Sequence, residues 1–94
     1  QAAFRHVVLI EYPRLGIYSI AFVMNEHETL AAGTSMTLVT LLIPTPPSPF
    51  TDPIIFVKKQ DMIPLTLTIE DAIKLVVSGG VVAGPLQAMP PGAP

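Results

Sequence analysis

The sequence predicts a β-rich α+β domain: a small antiparallel or mixed sheet of about four to six strands, open or curled like a barrel, with one short C-terminal helix. Three features carry that expectation. Short runs of β-branched and aromatic residues recur along the chain, Pro and Gly clusters punctuate them, and a helical period occurs only near the C-terminal end.

Phe4–Tyr12 (FRHVVLIEY) reads as the first strand. Pro13-Arg14-Leu15-Gly16 supplies a turn, because Pro pre-sets φ and Gly accepts a positive one. Ile17–Met24 then returns as the second strand of a hairpin. Asn25–Ser35, polar and then small, reads as a flexible loop, and Met36–Ile43 as a third strand. Pro44–Pro53 holds five prolines in ten residues, too many for a helix or a central strand, so it reads as a rigid connector. Ile54–Lys58 is a short fourth strand. Thr68 is a good N-cap with Asp71 three residues on, and Ile69, Ala72, Ile73 and Val76 then repeat as one helical stripe. Gly79-Gly80 ends that helix, and Val81–Ala83 reads as a short last strand. The domain therefore occupies residues 1–84. Residues 85–94, with four prolines and little to bury, read as a disordered tail.

Composition narrows the function classes. The 94 residues are 50% hydrophobic and 13% charged, with a mean hydropathy of +0.58, whereas soluble domains carry about 25% charged residues. A membrane-spanning helix needs about 18 or more consecutive apolar residues. The most apolar stretches, Leu15–Met24 and Met36–Pro44, are shorter and interrupted. Net charge is −2 with only five basic side chains, which cannot form a phosphate-neutralising stripe, so nucleic acid is not an expected partner. Without cysteine there are no disulfides or thiolate metal sites. A start at Gln1, with no signal-peptide pattern after it, reads as a piece of a longer protein.

The strands are apolar on both faces. Tyr18, Ile20, Phe22 and Met24 oppose Ile17, Ala21 and Val23; Leu38 and Leu42 oppose Val39, Leu41 and Ile43; Ile54 and Phe56 oppose Ile55 and Val57. A single short helix covers part of one face. Leaving about 500 Å² of the remainder wet forgoes about 12 kcal/mol of burial before association costs. The expectation is a homo-oligomer, with Tyr18, Ile20, Phe22, Leu41, Ile43, Phe50, Ile55 and Val57 as interface candidates.

Candidate chemistry is sparse. Glu26-His27-Glu28 has the residue types for zinc or proton transfer, but consecutive strand residues point apart and no further ligand lies at metal spacing, so it reads as a solvated loop. His6, within an apolar strand, reads as a packing residue. Ser19, Ser35, Ser48 and Ser78 lack a nucleophile-elbow context. Ser78-Gly79-Gly80 follows a helix, where the dipole repels anions, so it is a cap. Lys58-Lys59 reads as a solvated strand end. No catalytic, cofactor-binding or metal residues are assigned, and the expectation is a non-enzyme without cofactors.

Phe4–Ile17 (FRHVVLIEYPRLGI), Ile43–Pro49 (IPTPPSP), Ile63-Pro64-Leu65 with Thr68–Leu75 (TIEDAIKL), and Val76–Val82 (VVSGGVV) occur in that order. Together they resemble the family catalogued as domain of unknown function 502, over roughly residues 4–83. The resemblance implies an integral membrane protein with plant relatives of the continuous-vascular-ring type, a pair of transmembrane helices upstream, and no established activity or catalytic residues. This chain lacks such helices, so the resemblance makes it the soluble C-terminal portion, membrane-associated in the full-length protein and soluble or extracellular if released. The expected function is a non-catalytic interaction and self-assembly module. A subunit of an open homopolymer, filament or tube, is the alternative, and a small hydrolase or ligand-binding domain a weaker one.

Overall fold

A computed structural model describes residues 6–44, 54–81 and 86–90. The first strand, β1, is Val7–Glu11; β2 is Tyr18–Ala31; β3 is Thr34–Leu42; β4 is Ile54–Lys58; β5 is Ile63–Pro64; and one helix, α1, spans Ile69–Val77. They form a single antiparallel sheet in the order β4-β3-β2-β1-β5. The predicted β-rich α+β class, with a curled sheet and one C-terminal helix, is what the structure has.

The first hairpin pairs Val7 with Phe22 and Glu11 with Tyr18 around the Pro13–Gly16 turn. There Gly16 takes a φ of 86°, a value glycine adopts without steric cost. The second hairpin corrects the expected loop at Asn25–Ser35. β2 runs on to Ala31 and turns back within two residues, Ala32 at φ 52° and Gly33 at φ 77°. Paired left-handed residues suit the twist of a two-residue hairpin turn. Ala-Gly is not the usual Asn-Gly signature, so the local signal was weak. A bulge also separates the pair Val23↔Leu41 from Asn25↔Thr40. The extra residue puts Met24 and Asn25 on the same face, and every later side chain of β2 changes phase. Beyond Leu38, where pairing with β4 stops, the β2–β3 ribbon continues alone as an arm.

Both sheet faces carry a core. Val8, Ile10, Ala21, Val23, Val39, Leu41 and Ile43 make one, joined by Tyr12, Ile55, Val57 and Met62. Val7, Phe22, Leu42, Leu65 and Ala72 make the other, under α1, with Leu9, Ile20 and Met24 from the sheet and Ile69 and Ile73 from the helix. Among the described residues the first core has no helix over it, and a chain connection contributes to its burial. A 3₁₀ turn at Lys59–Asp61 leads from the end of β4 to the start of β5, the two opposite edges of the sheet. A flat five-stranded sheet puts its edges about 19 Å apart. The link from Lys58 to Ile63, part 3₁₀ and part extended, reaches only about 13 Å. The sheet must therefore curl, making the first core a concave inner face and the second a convex outer one.

Helix α1 begins where predicted. The Thr68 hydroxyl accepts from the Asp71 amide at 3.1 Å, and Glu70 and Asp71 occupy the first turn, where the dipole favours acids. Gly79 and Gly80, at φ 69° and 94°, close the end, with the Gly80 amide donating to the Leu75 carbonyl. Residues 86–90 of the tail depart from the disorder expected of them. Ala88 bridges Leu65, and the Met89 amide donates to the Pro64 carbonyl at 2.8 Å. β5 itself was not anticipated, since two residues including a proline carry no strand signal. Val81 is exposed and outside any strand; Val82 and Ala83, Phe4 and Arg5, and residues 45–53 of the proline-rich connector lie outside the described residues.

Phe22 is fully buried beneath α1. Replacing it with Ala is expected to lower unfolding free energy by about 3–5 kcal/mol, read from urea denaturation. Thr68→Ala should cost about 1 kcal/mol and Thr68→Ser much less, because only the capping oxygen matters.

Candidate functional site

The surface property that stands out is where apolar side chains remain exposed, and the alternation of β4 decides it. Ile55 and Val57 turn inward to the concave core. Ile54 pairs with Leu42 and Phe56 with Thr40, so both lie on the outer face, 52% and 59% exposed. No strand pairs with the outer side of β4 among the described residues. A patch of two large apolar side chains thus adjoins a row of unpaired backbone groups, the arrangement that recruits another strand.

Polar residues flank this patch in a defined way. His27, carried to the outer face by the bulge, places its Nε2 in a 2.8 Å hydrogen bond with Thr40 Oγ1 and its ring 6.1 Å from that of Phe56. Thr40 is nearly buried, so this bond satisfies a group that would otherwise be costly. On the inner side Glu26 pairs with Lys59 at 3.3 Å, and Glu28 accepts from the Thr37 hydroxyl at 2.9 Å. The Glu-His-Glu run is therefore an exposed piece of strand with its acids and its imidazole on opposite faces, and not a loop tip. No group of three His, Cys, Asp or Glu residues suited to a metal ion occurs among the described residues.

The opposite sheet edge is treated differently. β5 contains Pro64, which has no amide to donate, and the tail at Ala88–Met89 lies along it. One edge is covered and the other open.

The interface candidates from sequence are divided by the structure. Tyr18 is exposed, and Ile20 is half-buried against the helix-side core. Ile55 and Val57 are half-buried on the inner face. Phe22 and Leu41 have no accessible surface and Ile43 only 5%. Those three are corrected to core residues, since a side chain already removed from water has no area left for a neighbour. Phe50 lies outside the described residues. Sequence reading passed over Ile54 and Phe56 because both faces of β4 are apolar, and only the direction of curl tells inner from outer. Leu15 and Leu30, at the two hairpin ends, were missed as isolated loop residues; both are strongly exposed.

Ser19 and Ser78 have structural duties. Ser19 donates to the Tyr12 carbonyl at 3.0 Å and Ser78 to the Leu75 carbonyl at 3.1 Å; Ser48 lies outside the described residues. Glu11 and Tyr18 are cross-strand partners. The negative charge of Glu11, and then its hydrogen bond with the phenol, push the Tyr18 pKa above its usual 10.0. In a Tyr12→Phe background, Glu11→Gln should lower the midpoint of Tyr18 ionisation followed by ultraviolet absorbance, since removing the carboxylate removes the penalty on the phenolate.

No helix among the described residues is long and apolar enough to cross a membrane. No solved structure matches the chain. Among curated proteins it is similar to Protein LIKE COV 1 and to Protein CONTINUOUS VASCULAR RING 1, both of Arabidopsis thaliana, each 32% identical over 79 residues. The similarity covers 84% of this chain but only 30% and 29% of those relatives, so the chain spans about three-tenths of their length. Neither name states a reaction. The family model described as "Protein of unknown function (DUF502)" matches residues 1–51, more than half of the chain, and the chain belongs to that family.

Proposed function

We propose that this chain is a non-catalytic self-association module, the extramembrane part of a longer membrane-tethered protein, whose contact surface is the open β4 edge with Ile54 and Phe56. The observation that carries this reading is the contrast between the two sheet edges: β5 has a proline and a covering tail, while β4 has a phenylalanine 59% exposed and no strand along its outer edge among the described residues. A second copy is a suitable partner on charge grounds. In an antiparallel pairing centred on Phe56, Ile54 faces Lys58 of the other copy. The two Lys58 side chains then stand about 14 Å apart, beyond the ~8–10 Å screening length. Aromatic pairing at the centre contributes on the order of 0.5–1.5 kcal/mol beyond area burial. The family resemblance supports the membrane tether.

Exposed apolar side chains away from β4 support the open-polymer alternative. Leu15, Tyr18 and Ile63 are exposed on the β1–β2 turn, β2 and β5, apart from β4. If one copy's β4 patch met any of these on the next, the contact would be heterologous and would propagate until a ring closed or a filament grew.

Sedimentation velocity across micromolar to millimolar concentrations tests the primary reading. The parent chain should associate, and Phe56→Lys, at an exposed position, should give a folded monomer. A parent chain that stays monomeric throughout overturns it. Electron microscopy of negatively stained parent chain separates the two modes: small uniform particles mean a closed pair, and rings or filaments mean the heterologous contact.

A further inference from the structure

The concave face ends in an opening that the association surface does not use. A cavity of about 530 Å³ lies there, its apolar wall including Val23, Met62 and Met89 and its polar groups being His6, Glu26 and Lys59. That volume falls within the ~300–1,000 Å³ of small-molecule sites, which are mostly apolar with a few convergent polar groups and favour barrel mouths.

Each wall is placed by backbone contacts. The Val23 amide donates to the His6 carbonyl at 2.9 Å, setting β1 and β2 side by side at the rim. The tail's bond from the Met89 amide to the Pro64 carbonyl brings Met89 to the far wall. The 3₁₀ turn carries Lys59 across the concave face to its 3.3 Å ion pair with Glu26. The tail and the turn, which carry no strand or helix of the core, are thus what complete the hollow.

The donor balance indicates what would fill it. An ammonium has three N–H groups, and the ion pair with Glu26 leaves donors over. The His6 imidazole makes no hydrogen bond among the described residues. Glu26, the acid at the rim, is already paired. Spare donors above an apolar hollow suit a ligand with an acceptor-only anionic head and an apolar body. The thioethers of Met62 and Met89 are flexible and polarisable, and adapt to a chain of no fixed shape. A cationic head would have to take Glu26 from Lys59 and leave the ammonium without its partner.

We propose that this mouth binds a single-chain amphiphile with a carboxylate head, the chain lying against the partly exposed Met62 and Met89 and the head accepting from Lys59 and His6. The site is independent of association through β4, whose exposed side chains lie on the opposite face.

Octanoate, held below its micellar range, is the probe. It is titrated into the chain and into Phe56→Lys, with octylamine as the cationic control of equal length, and followed by amide and methionine-methyl NMR. The expected result is saturable shifts at Met62, Met89, His6 and Val23 in both proteins, with octylamine at least tenfold weaker. Lys59→Met, at a largely exposed position, should weaken octanoate about tenfold, equivalent to ~1.4 kcal/mol, and Met89→Trp, filling the hollow, should abolish the shifts. Equal binding of octylamine, an unchanged affinity in Lys59→Met, shifts confined to Ile54 and Phe56, or no saturable shift would each overturn the proposal.

Discussion

Four residues, 59–62, join opposite edges of one five-stranded sheet, and most of the structure depends on that short connection. A sheet apolar on both faces needs two covers, and the described residues supply one α-helix. Bringing β4 and β5 within reach of each other bends the sheet until one face covers itself. The helix then has only the convex face to protect. Val8, Val39 and Leu41 reach full burial with no second sheet or helix above them among the described residues.

The same curl distributes exposure. On the convex side α1 lies over Phe22 and Leu42 but leaves the β4 margin bare, so Ile54 and Phe56 stay in water while Ile55 and Val57 turn inward. A strand with two equivalent apolar faces is divided by the curl: Ile55 and Val57 complete the core, and Ile54 and Phe56 remain exposed. One sheet edge is covered by a proline and a tail, while the other, among the described residues, carries an exposed aromatic side chain. The concave mouth is a by-product of the same geometry, since a sheet that curls without closing leaves an open end.

The β2 bulge has a comparable reach. By shifting the alternation at Met24 and Asn25 it sends His27 to the outer face, beside Thr40 and Phe56, and Glu26 to the inner one, opposite Lys59. Without the extra residue the imidazole and the acids would exchange faces. The latch across the concave mouth and the polar flank of the β4 patch both follow from one inserted residue.

Local chemistry by itself determined the four longer strands in outline, the first turn, and the helix with its Thr68 cap and glycine stop, because each depends on propensity, alternation or capping between near neighbours. It also determined that both faces of the strands are apolar and which residues share a face within each strand. Tertiary structure alone decided which face is concave, and so whether Phe22, Leu41 and Ile43 form core or surface and whether Ile55 or Phe56 meets the solvent. The two-residue β5 and the Ala88 bridge were illegible, since pairing across long sequence separations gives them their shape; the Ala32-Gly33 turn, though local, lacks the Asn-Gly signature that would have marked it. Curl is a property of how edges far apart in the chain are joined, and no window of neighbouring residues contains it.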